Sequence, residues 1–310
     1  MKNLTLRQIR IFVEVARRLS FARAAQALSL TPPAVTMQIH ELETQVGLPL
    51  LNRDGRSVSL TMGGEYFLIY ARRVLSTLKD ARDTLDRFRQ VQTGQLVIGM
   101  VSTAQYFVPP LLARFCKQHP GVEVSLVVGN RQTLVEQLRH NEVDLAIMGR
   151  PPRQFATRAE PFALHPLFFV AAPDHPLAQL KQLPPRALAE HDFIVREPGS
   201  GTRAVLEDYL RQHQLTPRIT MEMSGNETIK QAVMAGMGIS LLSLHTLELE
   251  LRGRQIALLD IQQTPVLRRW YVVNTLSKIL SPPAEAFRQF IFQQAEDCLR
   301  QRFGPAPMAP

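Results

Sequence analysis

The segment "LTPPAVTMQIHELETQVG" (residues 30–47) predicts a helix that opens with two prolines and stops at a glycine. Thr31 can cap it, and proline is tolerated in the first turn because N–H groups there have no intrahelical partner. Since a residue before proline resists helical angles, we expect the helix proper to begin near Pro33 and to end at Gly47. Its apolar residues share one narrow stripe: Val35, Ile39, Leu42 and Val46.

Two shorter helical patterns come before this segment. Apolar residues recur at helical spacing over 6–16, and Ser20 can cap a second helix, "FARAAQAL" (21–28). Three short helices with a tight turn before the third are typical of a helix-turn-helix, whose third helix presents its first residues to the DNA major groove. Periodicity alone leaves a plain three-helix cluster open as the alternative.

The stretch "LPLLNRDGRSVSLT" (48–61) predicts a β-hairpin with an Asp-Gly turn. Arg53 and Arg56 fall at its tip. Beside a reading helix, two such arginines are well placed to hold backbone phosphates.

Together these residues carry a resemblance. The run "LRQIRIFVEVARRLSFARAAQALSLTPPAVTMQIHELETQVGLPLLNRDGRSVSLTMGGEYF" (6–67) resembles the winged helix-turn-helix of LysR-type transcriptional regulators. The resemblance implies a DNA-binding domain over 1–60 in a dimeric or tetrameric cytoplasmic regulator, with promoter DNA and RNA polymerase as partners. It also implies a set of residues that contact DNA: Pro32, Pro33, Thr36, Met37 and His40.

This chain departs from the family pattern because no Lys or Arg occurs from residue 24 to residue 52. Many relatives have Arg where this chain has Met37. The helix therefore cannot make the bidentate arginine–guanine contact. We predict that Met37 reads bases by apolar contact with thymine methyl groups, and that Thr36 and Gln38 add polar contacts. Affinity then comes mainly from Arg53, Arg56 and the first helix.

A long helix over about 62–91, capped by Thr61, should follow within a linker segment of 61–92. Its apolar residues alternate by four and three and predict a homodimer coiled coil: Phe67, Ala71, Val74, Leu78, Ala81, Leu85 and Phe88. Packing of this helix onto its own domain is the alternative. The "QTGQ" of 92–95 is interpreted as a hinge.

The remaining chain alternates strand-like runs with helical patterns over 106–118, 131–140, 203–213 and 226–236. This predicts an α/β effector domain over 93–303 with mainly parallel sheets. By the family resemblance it is a two-lobed, type 2 periplasmic-binding-protein-like domain, with lobe one over 95–162 plus 266–303 and lobe two over 163–265. The Pro-rich tail 304–310 is predicted to be disordered.

Ligands in such folds bind where strands end and helices begin. Helix N-termini offer free N–H groups, and arginines among hydroxyl groups favour an anion. A glycine-rich loop is often only a turn, and a single arginine is often only salt-bridged, so the prediction rests on several junctions that converge on one cleft. The predicted effector-binding residues are Ser102, Thr103, Gln105, Asn130, Arg131, Arg150, Thr202, Arg203, Asn226 and Glu227.

A finer resemblance covers this part. The runs "VSTAQYFVPPLLARFCKQHPGVEVSLVVGNR", "REPGSGTRAVLEDYL" and "SGNETIKQAVMAGMGISLLS" are similar to LysR-type activators of carbon-fixation (RuBisCO) operons. This resemblance implies a metabolite effector such as ribulose bisphosphate, phosphoenolpyruvate, phosphoglycolate or NADPH. Gln105 stands where a lysine is expected in relatives, which removes one positive charge beside Ser102 and Thr103.

Composition and motifs argue against two other classes of protein, an enzyme and a solute-binding transport protein. Residues 1–92 carry fourteen Lys/Arg and eight Asp/Glu, a net +6 within the chain's +9, which favours a polyanion partner there. An enzyme on a two-lobed scaffold is opposed by the lack of GxSxG, HExxH and Walker motifs. A solute-binding transport protein is opposed by the basic head and the lack of a signal peptide. Two cysteines form no metal or disulfide framework, and no apolar run is long enough for a membrane span.

Overall fold

The computed structural model describes residues 4–54, 57–88 and 94–304. The chain forms two compact units, Met1–Phe88 and Arg89–Pro310. The described elements of the first unit are α1 (Leu6–Arg18), α2 (Phe21–Ala27), α3 (Pro32–Val46), β1 (Leu51–Asp54), β2 (Ser57–Leu60) and α4 (Met62–Phe88).

Hydroxyl side chains begin three of these helices. Thr5 and Gln8 bond each other's backbone N–H at the start of α1, at 3.2 and 3.0 Å. The predicted caps at Ser20 and Thr61 are confirmed, because Ser20 accepts from the backbone N–H of Arg23 and Thr61 accepts from that of Gly64. These bonds satisfy N–H groups that have no partner within the helix.

Helix α3 begins one residue earlier than predicted, at Pro32. Thr31 occupies the cap position in extended conformation, but its side chain makes no capping hydrogen bond. Both prolines therefore fit into the first turn, where their fixed φ matches the helix and their missing N–H groups cost nothing. Gly47 ends the helix with φ of +80°, as predicted.

The stripe on α3 faces the core of the first unit. Val35, Ile39 and Leu42 are completely buried, together with Phe12 of α1. Phe67, early in α4, packs edge-on against Phe12 with ring centroids 5.2 Å apart. The three-helix arrangement with a two-stranded hairpin is therefore a packed domain, and the hairpin pairs Leu51 with Leu60.

The first two residues of the predicted coiled-coil seam of α4 pack within their own unit. Phe67 is half-buried, and Ala71 is buried in the core of its own unit, as the alternative interpretation required. Val74, Leu78 and Ala81 are exposed, and the side chains of Leu85 and Phe88 are outside what the structure describes. The first turns pack against α1, so a different set faces outwards there: Met62, Tyr66, Ile69 and Tyr70.

The second unit alternates strands and helices. Its described elements are β3 (Gly94–Val101), α5 (Val108–Gln118), β4 (Val122–Gly129), α6 (Arg131–Arg139), β5 (Leu145–Met148), β6 (Thr157–Ala171), β7 (Asp192–Arg196), α7 (Gly201–Gln212), β8 (Arg218–Met223), α8 (Asn226–Met234), β9 (Ser240–Ser243), α9 (Glu248–Arg252), β10 (Ala257–Leu258), β11 (Val266–Thr275) and α10 (Pro282–Phe303). Short 3-10 turns, among them Ser102–Tyr106 and Leu244–Thr246, connect some of them.

The sheets are mixed rather than mainly parallel. One sheet has the order β10-β6-β11-β5-β3-β4 with β9 also paired to β6, and β7 pairs with β8 in a second sheet. Strand pairs β3–β4, β3–β5 and β7–β8 are parallel, whereas β6 and β11 form a long antiparallel pair from Thr157↔Thr275 to Leu167↔Val266. The prediction failed because the direction of strands that are distant in sequence depends on the connections between them.

This long pair contributes residues to two cores at different positions along its length. Phe162, Ala163 and Trp270 belong to one core, while Leu167 and Phe169 belong to the other. Both lobes therefore share β6 and β11, and the predicted lobe boundaries at 162/163 and 265/266 fall within β6 and just before β11. Helix α10 was not predicted as a helix, although it buries Phe287 and other residues against the first core.

The sequence predicted no disulfide, no membrane-spanning helix and no metal site, and each can be compared only with the described residues. Cys116 and Cys298 are both unpaired thiols and half-buried. Within the described ranges, no helix combines the length and apolarity needed to cross a membrane, and no group of metal-binding side chains is placed to hold an ion. The predicted tail residues 305–310 lie outside the described residues.

Candidate functional site

The outward face of α3 contains five of the predicted DNA-binding residues. Pro32, Pro33, Thr36, Met37 and His40 are exposed, and the Met37 side chain is among the most exposed apolar groups of the first unit at 56%. The Thr36 hydroxyl donates to the carbonyl of Pro32 at 3.0 Å, inside its own helix. This face is free of Lys and Arg, so it presents methyl, thioether, hydroxyl and imidazole groups.

Gln38 does not belong to this face. Its side chain is half-buried and its amide donates to Glu41 at 2.9 Å. The same carboxylate accepts from Gln8 of α1 at 3.2 Å. In the structure the Gln38 amide is therefore engaged with Glu41, and a base contact from this residue stays a prediction.

The two hairpin arginines stay predictions. Arg53 lies on β1 with its backbone paired to Val58, but its side chain is not described. Arg56 lies outside the described residues.

In the second unit, one cavity collects six of the predicted effector-binding residues. Those that line it are Ser102, Thr103, Asn130, Arg131, Arg150 and Thr202. They come from the ends of β3, β4 and β5 and from the start of α7. The sequence did not predict several others: His165, Arg196, Ser200 and Arg268. The cavity therefore gathers four arginines, which makes it a candidate anion site.

Arg196, at the end of β7, is the most constrained of these arginines. Only 3% of it is exposed, and it donates to Ser102 at 3.2 Å, to Asn226 at 2.7 Å and to both carboxylate oxygens of Glu197. Ser102 belongs to the predicted lobe one, whereas Asn226 and Glu197 belong to lobe two. The guanidinium thus bridges the lobes while a carboxylate balances its charge.

The sequence predicted Arg203 as an effector-binding residue, but Arg203 is not among the residues that line the cavity. Arg203 donates to the backbone carbonyl of Arg196 at 2.9 Å and pairs with Glu207 and Glu222 at 2.6 and 3.2 Å. It therefore stabilises the loop after β7 through the backbone of Arg196. The sequence did contain a signal for Arg196. It is the arginine that ends the buried strand β7, and strand ends face the cleft in folds of this type.

Three other predicted residues also lie outside the cavity lining. Asn226 is buried and supports Arg196 as an acceptor. Glu227 accepts from the hydroxyl of Tyr106 and pairs with Lys230 at 2.9 Å, so its carboxylate is occupied by the structure. Gln105 is half-buried and does not line the cavity.

Arg131 and Arg150 form one side of the cavity. Arg131 donates to the carbonyls of Arg150 and Pro151 at 2.8 and 3.1 Å. Burial, and then the charge of Arg150, lowers the pKa of Arg131, although an arginine stays protonated in proteins. Those two carbonyls are uncharged and leave the positive charge of Arg131 unbalanced. A bound anion would balance it.

Arg150 and Arg268 share one distant carboxylate. Their guanidinium nitrogens lie 3.7 and 3.9 Å from Asp208, and their side chains are 44% and 42% exposed. Such half-exposed, long ion pairs are weak, since surface pairs contribute about 0–1 kcal/mol. Both arginines are therefore available to a ligand that offers stronger, shorter contacts.

The start of α7 adds to the positive potential. Ser200 caps this 12-residue helix, and its hydroxyl accepts from the backbone N–H of Arg203. Gly199 precedes it with φ of +83°, and a Cβ there would lie 2.6 Å from the Gln132 side-chain oxygen. The helix N-terminus, with the N–H groups of its first turn, therefore faces the arginine cavity.

His165, in β6, is a neutral polar group in the cavity wall. Its ring is stacked on Trp270 with centroids 3.9 Å apart, and within the described part of the chain both ring nitrogens lack hydrogen-bond partners. Burial, followed by the influence of His245 and Arg268, holds its pKa well below the usual range. A Cβ at Gly149 would lie 2.8 Å from His165 Nδ1, so glycine there leaves room for the ring.

Comparisons with known proteins agree with this two-part arrangement. Residues 6–65 match the bacterial regulatory helix-turn-helix proteins of the lysR family, and residues 89–296 match the LysR substrate binding domain. The regulator CfxR of Cupriavidus necator is 48% identical over 304 residues, which cover 98% of this chain and 96% of CfxR. The RuBisCO operon transcriptional regulator of Allochromatium vinosum is 43% identical over 293 residues, 94% and 97% of the two chains.

One solved structure is similar to the second unit. The regulatory domain of CcmR from Synechocystis, in complex with 2-PG, is 40% identical with a TM-score of 0.63. The match covers 65% of this chain and 97% of that domain. Its likeness and the family matches confirm the predicted fold class. The chain belongs to the LysR family of DNA-binding transcriptional regulators, with an N-terminal helix-turn-helix and an effector-binding domain.

Proposed function

We propose that this protein is a metabolite-responsive activator of carbon-fixation (RuBisCO) genes whose effector is a small phosphorylated anion bound in the arginine cavity. The observation that supports it is the convergence of Arg131, Arg150, Arg196 and Arg268 with the start of α7. One relative with high coverage supports the target genes, since it is named as a RuBisCO operon transcriptional regulator. A similar domain binds 2-PG.

The cavity favours a small ligand over a dinucleotide. Its volume is about 50 Å³, room for about four water-sized spheres at roughly 10–15 Å³ each. A phosphate group with a short carboxylate tail suits that space better than NADPH. A carboxylate or phosphate can take two parallel hydrogen bonds from one guanidinium, which fixes its orientation.

His165 adds selectivity in this proposal. Its neutral ring can donate one hydrogen bond and accept another, and neither nitrogen has a partner among the residues that the structure describes. A bound ligand with a hydroxyl group or a phosphate oxygen would satisfy one of them. An unsatisfied buried polar group costs about 1–3 kcal/mol, so satisfying it adds to affinity.

The regulatory step follows from differential affinity. A ligand held from both lobes favours the arrangement in which the lobes are close, because a ligand shifts an equilibrium only towards the state it binds better. We propose that closure changes the angle of paired linker helices in a homodimer or homotetramer, and with it the bend of promoter DNA and the contact with RNA polymerase. The protein acts in the cytoplasm and catalyses no reaction.

Thermal melting of the purified full chain tests the ligand class. We expect 2-phosphoglycolate to raise the melting temperature, since a ligand at about 100 times its Kd adds about 2.7 kcal/mol. Glycolate, which lacks only the phosphoryl group, should have no effect at the same concentration. Phosphoenolpyruvate, ribulose bisphosphate and NADPH complete the panel.

Matched variants locate the effect. Arg150→Ala should abolish the shift, whereas Arg153→Ala, an exposed arginine outside the cavity lining, should keep it. Equal shifts with glycolate and 2-phosphoglycolate, or a full shift in Arg150→Ala, would overturn the anion cavity. A phosphate-dependent shift without binding to RuBisCO-operon promoter DNA in a footprint would favour the alternative, a LysR-type regulator of another metabolic operon.

A further inference from the structure

A second cavity lies on the other side of the aromatic cluster that backs the arginine cavity. It is formed by β6, the turn Leu244–Thr246 and the end of α10, and its volume is about 220 Å³. A cavity of roughly 150 Å³ lined by aliphatic and aromatic side chains can already hold benzene. The lining residues used below are Leu164, Leu244, His245, Leu299, Arg300 and Phe303.

Most of the wall is apolar. Leu299 is buried, Leu164 and Leu244 are half-buried, and the ring of Phe303 packs edge-on against His245 at 4.8 Å. The charged residues of the lining, Arg300 and Glu296, belong to α10 and pair with each other at 3.3 Å. Their side chains are 62% and 56% exposed, so the cavity opens to solvent at this pair.

One polar group faces the cavity from its buried side. The indole N–H of Trp270 donates to Nδ1 of His245 at 2.9 Å, so Nδ1 acts as an acceptor and the ring proton of neutral His245 lies on Nε2. Burial lowers the pKa of His245 to about 3, which keeps the ring neutral at physiological pH. Among the described residues, none accepts a hydrogen bond from Nε2. The cavity thus offers a single neutral donor.

The buried part of this cavity favours an uncharged occupant. Burial of a charge without a paired opposite charge is far more costly than burial of a neutral polar group. The neutral His245 cannot supply that charge, and Arg300, whose side chain is 62% exposed, lies at the solvent end of the cavity, away from its buried wall. A ligand that fits is apolar over most of its surface and accepts one hydrogen bond.

We propose that this second cavity binds a small uncharged organic molecule, apolar except for one hydrogen-bond acceptor that contacts Nε2 of His245. Binding there does not depend on the proposed effector of the arginine cavity. The two sites are joined by three rings, because Trp270 bonds His245 and stacks on His165 at 3.9 Å with planes 16° apart. Occupation of the second cavity therefore shifts the ring that lines the first.

The single tryptophan of the chain provides a direct probe. Trp270 is completely buried between the two histidines, so 5-fluorotryptophan labelling of the full chain gives one ¹⁹F resonance at the shared wall. We expect cyclohexanone, a neutral ring with one carbonyl acceptor, to move this resonance in a saturable titration. Leu244→Phe, which fills the cavity, should weaken the apparent affinity by at least about tenfold, the equivalent of about 1.4 kcal/mol.

Leu249→Phe is the matched control, because Leu249 is 73% exposed five residues further along and does not line the cavity. Its affinity for cyclohexanone should be unchanged within about twofold. Cyclohexanecarboxylate, which adds a charge to a similar ring, should bind at least about tenfold more weakly than cyclohexanone.

Three results would overturn this proposal. They are a resonance that does not move with cyclohexanone, equal loss of affinity in both leucine variants, and tighter binding of the carboxylate. A separate titration with 2-phosphoglycolate keeps the two sites distinct. Its effect should be lost in Arg150→Ala and retained in Leu244→Phe, so the arginine cavity can fail its own test while the second cavity passes, and the reverse.

Discussion

The outward face of α3 and the arginine cavity, the two proposed binding surfaces, are built in opposite ways. On α3, all five exposed face residues lie within nine consecutive positions, 32–40, and none is basic. In the cavity, four arginines come from α6, the end of β5, β7 and β11, at positions spread from 131 to 268, and Arg196 is almost fully buried. The α3 face is exposed and formed by neighbouring residues of one helix. The arginine cavity is partly buried and formed by residues that are distant in the sequence.

This difference has an energetic consequence. An exposed side chain on a helix face contributes little to stability, so changes there should alter recognition alone. A buried cation with several partners cannot be removed without leaving those partners unpaired, so changes in the cavity should alter stability as well as binding. The following variants test this contrast.

Arg196→Ala should have the largest effect. The loss of this guanidinium leaves Glu197 and the buried Asn226 without their donor, and breaking a buried ion pair costs about 3–5 kcal/mol. Urea unfolding of the full chain measures the change. Arg203→Ala in the same loop is the control, with an expected cost of about 1 kcal/mol because its carboxylate partners are about half exposed. Equal costs would remove the distinction between a bridging and a supporting arginine.

Met37→Arg should change sequence preference without a comparable loss of stability. An arginine at this exposed position can form a bidentate contact with guanine, and such a contact discriminates between bases by about 1–3 kcal/mol. A binding-site selection should therefore show a new guanine at the contacted position, while the unfolding free energy changes by less than about 0.5 kcal/mol. An unchanged preference would mean that Met37 does not contact bases.

Acid should destabilise the protein through its buried histidines. His165 has a pKa well below the usual range and His245 has a pKa of about 3, both first because of burial, so the folded state keeps both rings neutral. Unfolding takes up a proton at each ring once the pH falls below about 6.5, so the unfolding free energy decreases with falling pH by about 1.4 kcal/mol per unit per ring. Urea unfolding between about pH 6 and 5 measures this slope.

The variant His165→Leu isolates one ring. It should reduce the slope by about 1.4 kcal/mol per pH unit, since one fewer proton is taken up on unfolding. A slope equal to that of the parent protein would show that His165 is not held neutral by the fold.

Arg53→Ala should have the smallest and least selective effect. A phosphate contact weakens binding to all sequences about equally, and its loss reduces the slope of log K against log salt by about 0.9. Fluorescence anisotropy on operator and random duplexes at several salt concentrations measures both quantities. A loss confined to the operator would assign Arg53 to base contact instead.

The α3 face was predictable because helical periodicity is local. The spacing of Val35, Ile39 and Leu42 determines which side is buried, and the exposed positions follow from it. The partner of Gln38 was less predictable, because Glu41 also accepts from Gln8 of another helix. The burial of Phe67 and Ala71 in the core of the first unit was likewise not readable from the α4 heptads alone, since it depends on residues of other elements.

The cavity was predictable only in outline. Strand ends that precede helices identified Ser102, Asn130 and Arg150, because that junction lies at one edge of a sheet in folds of this type. Arg196 ends β7, but the prediction took Arg203, seven residues later in α7. Which of the two enters the cavity depends on Asn226 and Ser102, which lie 30 and 94 residues from Arg196 in the chain.

The sequence by itself determined the helix-turn-helix, its caps, the basic first third and the alternation of strands and helices, because each depends on residues within a few turns of one another. Only the tertiary structure decided the antiparallel β6–β11 pair that both lobes share, the four arginines of the cavity and the ring contacts of His165, Trp270 and His245. Those features depend on which distant segments meet, and burial of apolar surface across the whole domain sets that choice.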